Sequence, residues 1–327
     1  MKILITGGAG FIGSHLAEAY LKRGDEVYIL DDFSTGAEEN VAAVRRSCPD
    51  QQNRLFLTRG SVLDREVMLG LIGICDVVVH LAAAVGVQYI LDNPLSSIVT
   101  NIQGTEIALE LADKFKKKIL IASTSEVYGK RDPSSKKPFV ETDDCIYGPS
   151  VKSRWSYAAS KLMDEFAALA FHRTKGLPVV IVRFFNTVGP RQTGRYGMVI
   201  PRFVGQALRS EPITIYGDGN QTRTFTHVHE VVDCMMKLIE SPKAIGQVVN
   251  IGGVEEISIL DLAKRIIEMT GSKSKLTFTS YEDAYPKDFE DMQWRVPSTE
   301  KLKSIIGFAP ELHLHAILKD IIHASRS

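Results

Sequence analysis

The 327-residue sequence lacks the features that would tie it to a membrane or to nucleic acid. Lys plus Arg and Asp plus Glu both number 39, so the formal net charge is zero, and binding through bulk charge is not expected. No apolar run approaches the length that crosses a bilayer. The N-terminus has one charge and a short apolar run broken by glycines, unlike a signal peptide. A local basic pocket for a phosphate is still compatible with this composition.

Cysteine is scarce as well. Cys48, Cys75, Cys145 and Cys234 are spread along the chain without a CxxC spacing, so the pattern indicates neither a metal site nor a redox motif. Free thiols in a reducing compartment are the simplest interpretation. We therefore expect a cytoplasmic protein without a bound metal.

What the sequence does contain is an alternation of short apolar runs with helix-period segments. The runs expected to be strands buried on both faces are KILIT, EVYIL, LFLTRG, DVVVHLA, KILIAS and PVVIVRFF. The helical segments between them are FIGSHLAEAYLKRG, REVMLGLIG, NIQGTEIALELADKF and SYAASKLMDEFAALAFHRTKG. Strand, helix and strand in repetition predict an α/β fold with a doubly wound parallel sheet of the Rossmann type.

The alternation loosens after Pro190, where the chain becomes rich in Gly, Pro, Arg and polar residues. A further strand candidate, QVVNIGG, follows, and the tail has two helical patterns, SILDLAKRIIEMTG and AILKDIIHA, separated by a charged loop. We expect two domains. Their expected residues are 1–185 plus about 223–253 for the larger domain, and 186–222 plus 254–327 for a smaller, discontinuous C-terminal domain.

The larger domain begins with a glycine-rich turn. Gly7, Gly10 and Gly13 lie directly between a predicted strand and a predicted helix, an arrangement that permits a tight turn, a close approach to a pyrophosphate and close packing of the helix. Asp31 ends the second predicted strand, 18 positions after Gly13, near the spacing of a ribose-hydroxyl acceptor. A carboxylate there disfavours a 2′-phosphate, so the pattern predicts NAD rather than NADP.

A second motif lies in RWSYAASKLMDE at 154–165. Tyr157 and Lys161 are four residues apart, so on a helix they share one face. A phenol beside an ammonium is a plausible acid/base pair, because the positive charge favours the phenolate. Taken alone, this short motif also fits an ordinary half-buried Tyr with a solvated Lys.

Together the motifs resemble the extended short-chain dehydrogenase/reductases, in the branch that modifies nucleotide sugars. The matching segments are GxxGxxG at 7–13, HLAA at 80–83, STSEVYG at 123–129, YxxxK at 157–161 and RFFNTVGPR at 183–191. The resemblance covers nearly the whole chain. It implies that a sugar carbon, usually carbon 4, gives a hydride to tightly held NAD and that a keto intermediate forms.

The resemblance also implies roles for individual residues. Tyr157 matches the acid/base, Lys161 the lysine that holds the nicotinamide ribose and lowers the pKa of the phenol, and Thr124 the hydroxyl that hydrogen-bonds the reacting sugar. The implied cofactor-binding residues are Gly7, Gly10, Phe11, Ile12, Gly13, Asp31, Asp64, Leu81, Ala82, Ala83, Tyr157 and Lys161. The implied residues for a UDP-sugar substrate are Asn186, Val199, Arg202, Tyr216, Arg223 and Arg295.

The sugar chemistry is less sharply indicated. Glu126 in STSEVYG, and the pairing of GPSVKSRWSYAASK with EDMQWRVPS, resemble UDP-glucuronate decarboxylases. In that group an acid matching Glu126 and an arginine matching Arg295 reach the sugar, and Ser125 could help to position carboxylate loss and reprotonation. A UDP-sugar 4-epimerase is the main alternative, because VGPRQTG and GRYGMV resemble epimerases. A 4,6-dehydratase and a non-catalytic NAD-binding protein are weaker alternatives.

The family also predicts a homodimer. In it, two helices that match roughly 100–115 and 156–174 pair across a two-fold axis into a four-helix bundle. The second segment here is apolar around more of its circumference than a one-sided surface helix needs. This excess suggests a second burial surface, although extra packing within the chain would also explain it.

Overall fold

The computed structural model describes residues 1–131, 137–194, 198–280, 283 and 292–326. The strands are β1 Lys2–Thr6, β2 Glu26–Asp31, β3 Leu55–Arg59, β4 Val77–His80, β5 Lys118–Thr124, β6 Val179–Phe184, β7 Thr187–Val188, β8 Ile213–Tyr216, β9 Thr222–Thr224, β10 Thr226–His227, β11 Gln247–Ile251, β12 Glu256–Ser258, β13 Leu276–Thr279 and β14 Trp294–Arg295. The α-helices are α1 Phe11–Arg23, α2 Glu38–Ser47, α3 Arg65–Ile74, α4 Val87–Asp92, α5 Pro94–Lys114, α6 Arg154–Lys175, α7 Val199–Leu208, α8 Val228–Glu240, α9 Ile259–Thr270, α10 Glu300–Ile306 and α11 Leu314–Arg326. Short 3₁₀ helices span Pro49–Arg54, Ser125–Tyr128 and Pro242–Ala244.

A seven-stranded parallel sheet forms the centre of the larger part, in the order β11-β6-β5-β4-β1-β2-β3. Both faces are covered: Ile3 and Ile5 of β1 pack into one apolar core, and Leu4 packs into the core on the opposite face. Burial on both faces explains the near-continuous apolar runs of these strands. The predicted doubly wound α/β fold is confirmed. Its strand order reverses at β1 and β4, where the carboxyl ends of the strands open a crevice.

Strand β3 departs from the expectation of burial on both faces. It lies at the edge of the sheet, and the side chains of Phe56 and Leu57 are exposed. Phe56 stacks on Tyr28 of the neighbouring strand, with ring centroids 4.6 Å apart. An apolar run alone could not distinguish this edge position, because the pattern of residues within a strand does not report its place in the sheet.

The smaller part surrounds a separate apolar core. Helices α7, α9 and α11 contribute Phe203, Leu262 and Ile317 to it, and β8 contributes Ile213. Three small sheets accompany these helices, in the orders β12-β9-β14, β13-β8 and β10-β7. Residues 190–222, expected to be loosely organised, thus contain helix α7 and strand β8.

Two features of the packing bear on the expected domain boundaries. Leu302 of α10 and Ala309 pack into a core of the larger part, although both lie in the segment expected for the smaller domain. Strand β9 pairs with β12 and β14, so Arg223 and Thr224 belong to a small sheet and not to the large one. The domain boundaries themselves stay a prediction.

Most of the charged loop expected between α9 and the C-terminal helices falls at 281–291, and only residue 283 of that stretch is among the described residues. The GRYGMV motif also lies partly outside them, at 195–197. Across the described part of the chain, no helix combines the length and apolarity that a bilayer-spanning segment needs.

Candidate active site

A cavity of about 900 Å³ lies between the large sheet and the smaller core. It opens over the carboxyl ends of β1, β4 and β5 and reaches α7, β8 and β14. Of the predicted site residues, it is lined by Gly7, Gly10, Phe11, Ile12, Gly13, Asp31, Leu81, Ala82, Ala83, Thr124, Glu126, Tyr157, Lys161, Asn186, Val199, Arg202, Tyr216, Arg223 and Arg295. Residues from both halves of the chain therefore meet at one site.

The glycine-rich turn leaves no room for side chains. Gly7 has a φ of 71°, and a Cβ there would lie 2.9 Å from the Ala82 nitrogen. A Cβ at Gly13 would overlap the carbonyl oxygen of Gly7. Helix α1 begins at Phe11, so its free N–H groups and its positive dipole end face the cavity beside this turn. Such a cradle fits the pyrophosphate of a dinucleotide.

Asp31 is held rigidly at the end of β2. Its carboxylate accepts hydrogen bonds from the backbone N–H of Ala9, at 2.9 Å, and of Phe33, at 2.8 Å. Burial raises the pKa of this carboxyl, and the two N–H donors oppose that rise. The nearby Gly36 leaves no space for a Cβ beside the carboxylate oxygens. The residues of this half of the cavity therefore fit NAD, with Asp31 placed to accept from a ribose hydroxyl.

The predicted acid/base residues lie on the first turns of α6. This helix is anchored by a buried ion pair: Glu165 accepts from Arg183 of β6 in a two-pronged contact, at 2.9 Å from Nε and 2.7 Å from Nη2. Ser123 of β5 donates to the same carboxylate at 2.5 Å. These contacts hold the helix against the sheet edge where Tyr157 and Lys161 line the cavity.

Thr124 ends β5 and begins the short helix that carries Glu126. The Thr124 hydroxyl oxygen accepts from the Glu126 backbone N–H at 3.2 Å, so its own hydrogen is free to be directed into the cavity. Glu126 faces Arg295, with 3.5 Å between Oε1 and Nη1. Arg295 also donates from Nη2 to the Asn186 Oδ1 at 2.7 Å. A carboxylate, an amide and a guanidinium thus form one group beside the predicted triad.

Arginines supply positive charge to the end of the cavity that the smaller part forms. Arg295 and Arg223 occupy paired positions on the adjacent strands β14 and β9. Arg202 of α7 lies over the ring of Tyr216, 4.3 Å from its centroid, a favourable cation–π arrangement. Guanidinium groups match phosphate oxygens in geometry and charge, so this end suits a diphosphate.

Two predicted residues do not line the cavity. The Asp64 carboxylate caps helix α3 by accepting from the backbone N–H of Glu66 and Val67, and its contact with a cofactor stays a prediction. The side chain of Ser125 is buried beneath the short helix, 1% exposed, because the 3₁₀ turn directs its neighbour Glu126 and not Ser125 to the cavity.

The cavity also contains a residue that was not predicted. Arg191, in the RFFNTVGPR segment, lines the cavity and forms an ion pair with Glu18 of α1. The adjacent Pro190 carbonyl pairs with the Nε2 of His15, also on α1, at 2.9 Å. The loop is therefore fixed to the cofactor-binding helix. Its sequence motif was the available signal, but nothing in that motif distinguishes Arg191 from a surface arginine.

Comparison with known proteins places the chain in a family. Residues 4–321 match the family model described as GDP-mannose 4,6 dehydratase, and the chain belongs to this family of extended short-chain dehydrogenase/reductases. It is therefore an NAD-dependent enzyme of the nucleotide-sugar epimerase and dehydratase group.

Individual relatives refine this placement. A UDP-N-acetyl-alpha-D-glucosaminuronate decarboxylase of Bacillus cytotoxicus is 42% identical over 98% of this chain and 96% of the relative. UDP-glucuronic acid decarboxylase 1 of Arabidopsis thaliana is 34% identical over 100% of this chain and 70% of the relative. Among solved structures, UDP-glucuronic acid 4-epimerase of Bacillus cereus, in complex with UDP-glucuronic acid and NAD, is 30% identical, with a TM-score of 0.87 over 100% of this chain and 99% of that one.

Proposed function

We propose that the protein decarboxylates a UDP-linked uronate through a transient 4-keto sugar. The observation that carries the proposal is the contact of Arg295 with both Glu126 and Asn186 at the wall of the cavity. A guanidinium beside the reacting sugar can bind a substrate carboxylate and then stabilise the charge that develops when this carboxylate leaves. The relatedness to two UDP-uronate decarboxylases supports the same reaction.

Each step has a group in the cavity. The glycine-rich turn and Asp31 would hold NAD, which when bound would supply the acceptor for the carbon 4 hydride and its return after decarboxylation. Tyr157 Oη takes the proton of the 4-hydroxyl, with the Lys161 ammonium favouring the phenolate, and Thr124 orients that hydroxyl. The sugar is then a β-keto acid: its carbon 5–carboxylate bond breaks, carbon dioxide leaves, and the electron pair of that bond forms an enolate. The enolate takes a proton from water at carbon 5, and Tyr157 gives its proton back to the 4-oxygen when the hydride returns to carbon 4.

The uronate with an acetamido group at carbon 2 is the first substrate to test. The Bacillus cytotoxicus relative named for that sugar is 42% identical to this chain, whereas the Arabidopsis thaliana relative named for UDP-glucuronic acid is 34% identical. We therefore propose UDP-N-acetylglucosaminuronate as the preferred substrate and UDP-glucuronate as the slower one.

A 4-epimerase acting on a UDP-uronate is the second candidate. The structural likeness to UDP-glucuronic acid 4-epimerase of Bacillus cereus favours it, because both reactions begin with the same oxidation of the same class of sugar. They diverge when the keto acid either keeps or loses its carboxylate. The ion pair of Arg295 and Glu126 is proposed to act in this later step, the loss of the carboxylate.

Incubation with a panel of UDP-sugars separates the two. The panel contains UDP-glucuronate, UDP-N-acetylglucosaminuronate, UDP-glucose and UDP-N-acetylglucosamine, and products are read by mass spectrometry and NMR. We expect a mass loss equal to carbon dioxide from the uronates, with no added reductant because the hydride is returned. Interconversion of a UDP-uronate and its 4-epimer at constant mass would contradict the decarboxylase proposal and support the 4-epimerase.

Two variants test the role of Arg295 in decarboxylation. Arg295→Met should lower decarboxylation by roughly two to three orders of magnitude, the usual effect of removing a charged partner from a desolvated site, while bound NAD is still reduced. Arg265→Met is the matched control, because Arg265 pairs with Glu255 at 2.6 Å on the smaller part, away from the cavity. Equal rates for both variants would contradict the role of Arg295.

We also propose that the protein is a cytoplasmic homodimer. Helices α5 and α6 pack together, and each carries large apolar side chains that are exposed to solvent: Leu95 is 75% exposed, Phe166 59% and Met163 54%. Exposed apolar area of this kind on two adjacent helices is typical of a self-complementary interface, and a second copy of the same face would complete a four-helix bundle. All four cysteines are free thiols, in keeping with a reducing compartment.

Light scattering with a charged substitution tests the dimer. Wild-type protein should have twice the chain mass of 36.2 kDa at micromolar concentration, and Phe166→Glu should reduce it to the single chain with NAD still bound. Phe278→Glu, at a similarly exposed phenylalanine on β13, is the control and should remain dimeric. A wild-type mass of one chain would overturn the proposal.

A further inference from the structure

Lys161 is buried in the protein interior together with a counter-charge. Its Nζ donates to the Oδ2 of Asp164 at 2.7 Å, and both side chains are only 2% exposed. The two residues are three apart on α6, a spacing that normally produces weak surface pairs. Removing two charges from water is costly, so a pair buried to this extent next to the reacting phenol calls for a reason beyond the stability of the helix.

The groups around Asp164 indicate that it is the counter-charge of Lys161. Burial raises the pKa of the Asp164 carboxyl, whereas Lys161 and the Thr105 hydroxyl of α5 lower it. The neighbouring carboxylate, Glu165, is already engaged by Arg183. The charge of Lys161 is therefore balanced mainly by Asp164.

The other titratable groups that face this part of α6 do not compete for the ammonium. His80, at the end of β4, is fully buried, and burial together with the Lys161 charge lowers its pKa to about 3, so this imidazole is neutral at physiological pH. On α4, Asp92 is exposed to solvent, where its charge is screened.

We propose that Asp164 is a positioning residue for the oxidation step: it supplies the anion in contact with the Lys161 ammonium and fixes the direction in which that ammonium points. The proposal rests on the acid/base assignment of Tyr157 and Lys161 and is independent of which sugar is used. An ammonium has three N–H donors. The Asp164 carboxylate takes one, and the two others are left for the nicotinamide ribose and the phenolic oxygen.

The physical argument is one of solvation and direction. A buried ammonium without an anion nearby is disfavoured, and the Asp164 carboxylate in contact with Lys161 Nζ offsets that cost. Because both side chains are buried, the contact also restricts the directions in which the remaining N–H groups of Lys161 can point.

NMR of the lysine side chains tests the proposal without any sugar. Full-length protein with ¹³C at the lysine Cε positions is measured at one pH with and without NAD, and the Lys161 signal is identified by its loss in Lys161→Met. NAD should move this signal in the wild type, because the ammonium is directed at the nicotinamide ribose. In Asp164→Asn the NAD-induced change should be lost and the affinity for NAD should fall at least about tenfold, whereas a purely structural role would leave the change per bound NAD as it is in the wild type.

The chain offers a matched control. Lys116 and Asp113 have the same spacing and a distance of 2.6 Å, but the lysine is largely exposed, so Asp113→Asn should leave the Lys161 signal and the affinity for NAD as in the wild type. Asp164→Glu, which restores the charge, should recover part of the NAD-induced change of the Lys161 signal.

A NAD-induced change of the Lys161 signal that is as large in Asp164→Asn as in the wild type overturns the proposal, and Asp164→Ser provides the same test if the amide variant does not fold. Failure of the proposed decarboxylation has a different signature. In that case no UDP-uronate is consumed, yet the NAD-induced change of the Lys161 signal is still lost in Asp164→Asn.

Discussion

Glu165→Gln tests whether the contacts behind the active site hold the helix that carries Tyr157 and Lys161. The substitution leaves the Arg183 guanidinium without its anion in the interior, since Glu165 is the partner at 2.7 and 2.9 Å. Removing one member of a buried ion pair typically costs about 3–5 kcal/mol. With an unfolding entropy of about 2.1 cal/mol/K per residue over 327 residues, this corresponds to a fall in Tm of about 4–7 °C.

Thermal unfolding followed by circular dichroism, together with NAD binding by calorimetry, measures both consequences. Cofactor affinity should fall with Tm, because α6 presents Lys161 to the cavity. The control is Glu110→Gln: this glutamate pairs with Arg65 at 2.7 Å, with both side chains half exposed, so Tm should change by less than about 2 °C. The reasoning is refuted if Glu165→Gln melts within that margin of the wild type.

Three further substitutions test the site. Tyr157→Phe should abolish most turnover and leave Tm and NAD binding near normal, because it deletes only the group that moves the proton; turnover near that of the wild type would contradict this. Gly13→Ala should weaken NAD binding in a direct titration at least tenfold, because the added Cβ overlaps the Gly7 carbonyl oxygen, and unchanged affinity would show that the turn adapts. Burial lowers the pKa of His15 to about 4, so the unfolded chain binds more protons between pH 6.5 and 4, and the free energy of unfolding should decrease as the pH is lowered from 6.5 to 4. His15→Asn should flatten this pH dependence in urea unfolding curves, and an unaltered slope would contradict the assignment.

The large sheet was predictable because its strands are buried on both faces. The strand segments VVVH and ILIT can be predicted from local sequence alone, because a run of β-branched and other apolar residues is typical of a central parallel strand. The glycine turn and Asp31 follow from the same logic, because a tight turn at a helix start and a carboxylate at the end of the next strand are local features. Helix α8 is less evident: its first half, VHEVVD, contains three β-branched valines that favour strands, and packing on the sheet decides the outcome.

Other parts of the site depend on contacts distant in sequence. From local sequence, Asp164 and Glu165 would be two solvated acidic residues on a helix, yet both are buried. Asp164 pairs with a lysine one turn away, and Glu165 pairs with an arginine on β6. Asp64 fits the family pattern of a cofactor residue, but its place before α3 makes it a helix cap. The association of Glu126 with Arg295 spans 169 residues and is visible only once β14 pairs with β9.

The positions of the arginines explain how a chain of zero net charge can bind a doubly charged diphosphate. Arg191, Arg202, Arg223 and Arg295 all line the cavity, although they come from a loop, a helix and two short strands. Their positive charge is concentrated where a substrate diphosphate and a carboxylate would enter, and acidic residues elsewhere on the chain balance it. Composition reports only the sum, whereas recognition depends on the local charge. The same folding of the smaller part that brings β14 beside β9 thus creates both the anion site and the Arg295 contact on which the proposed loss of carbon dioxide depends.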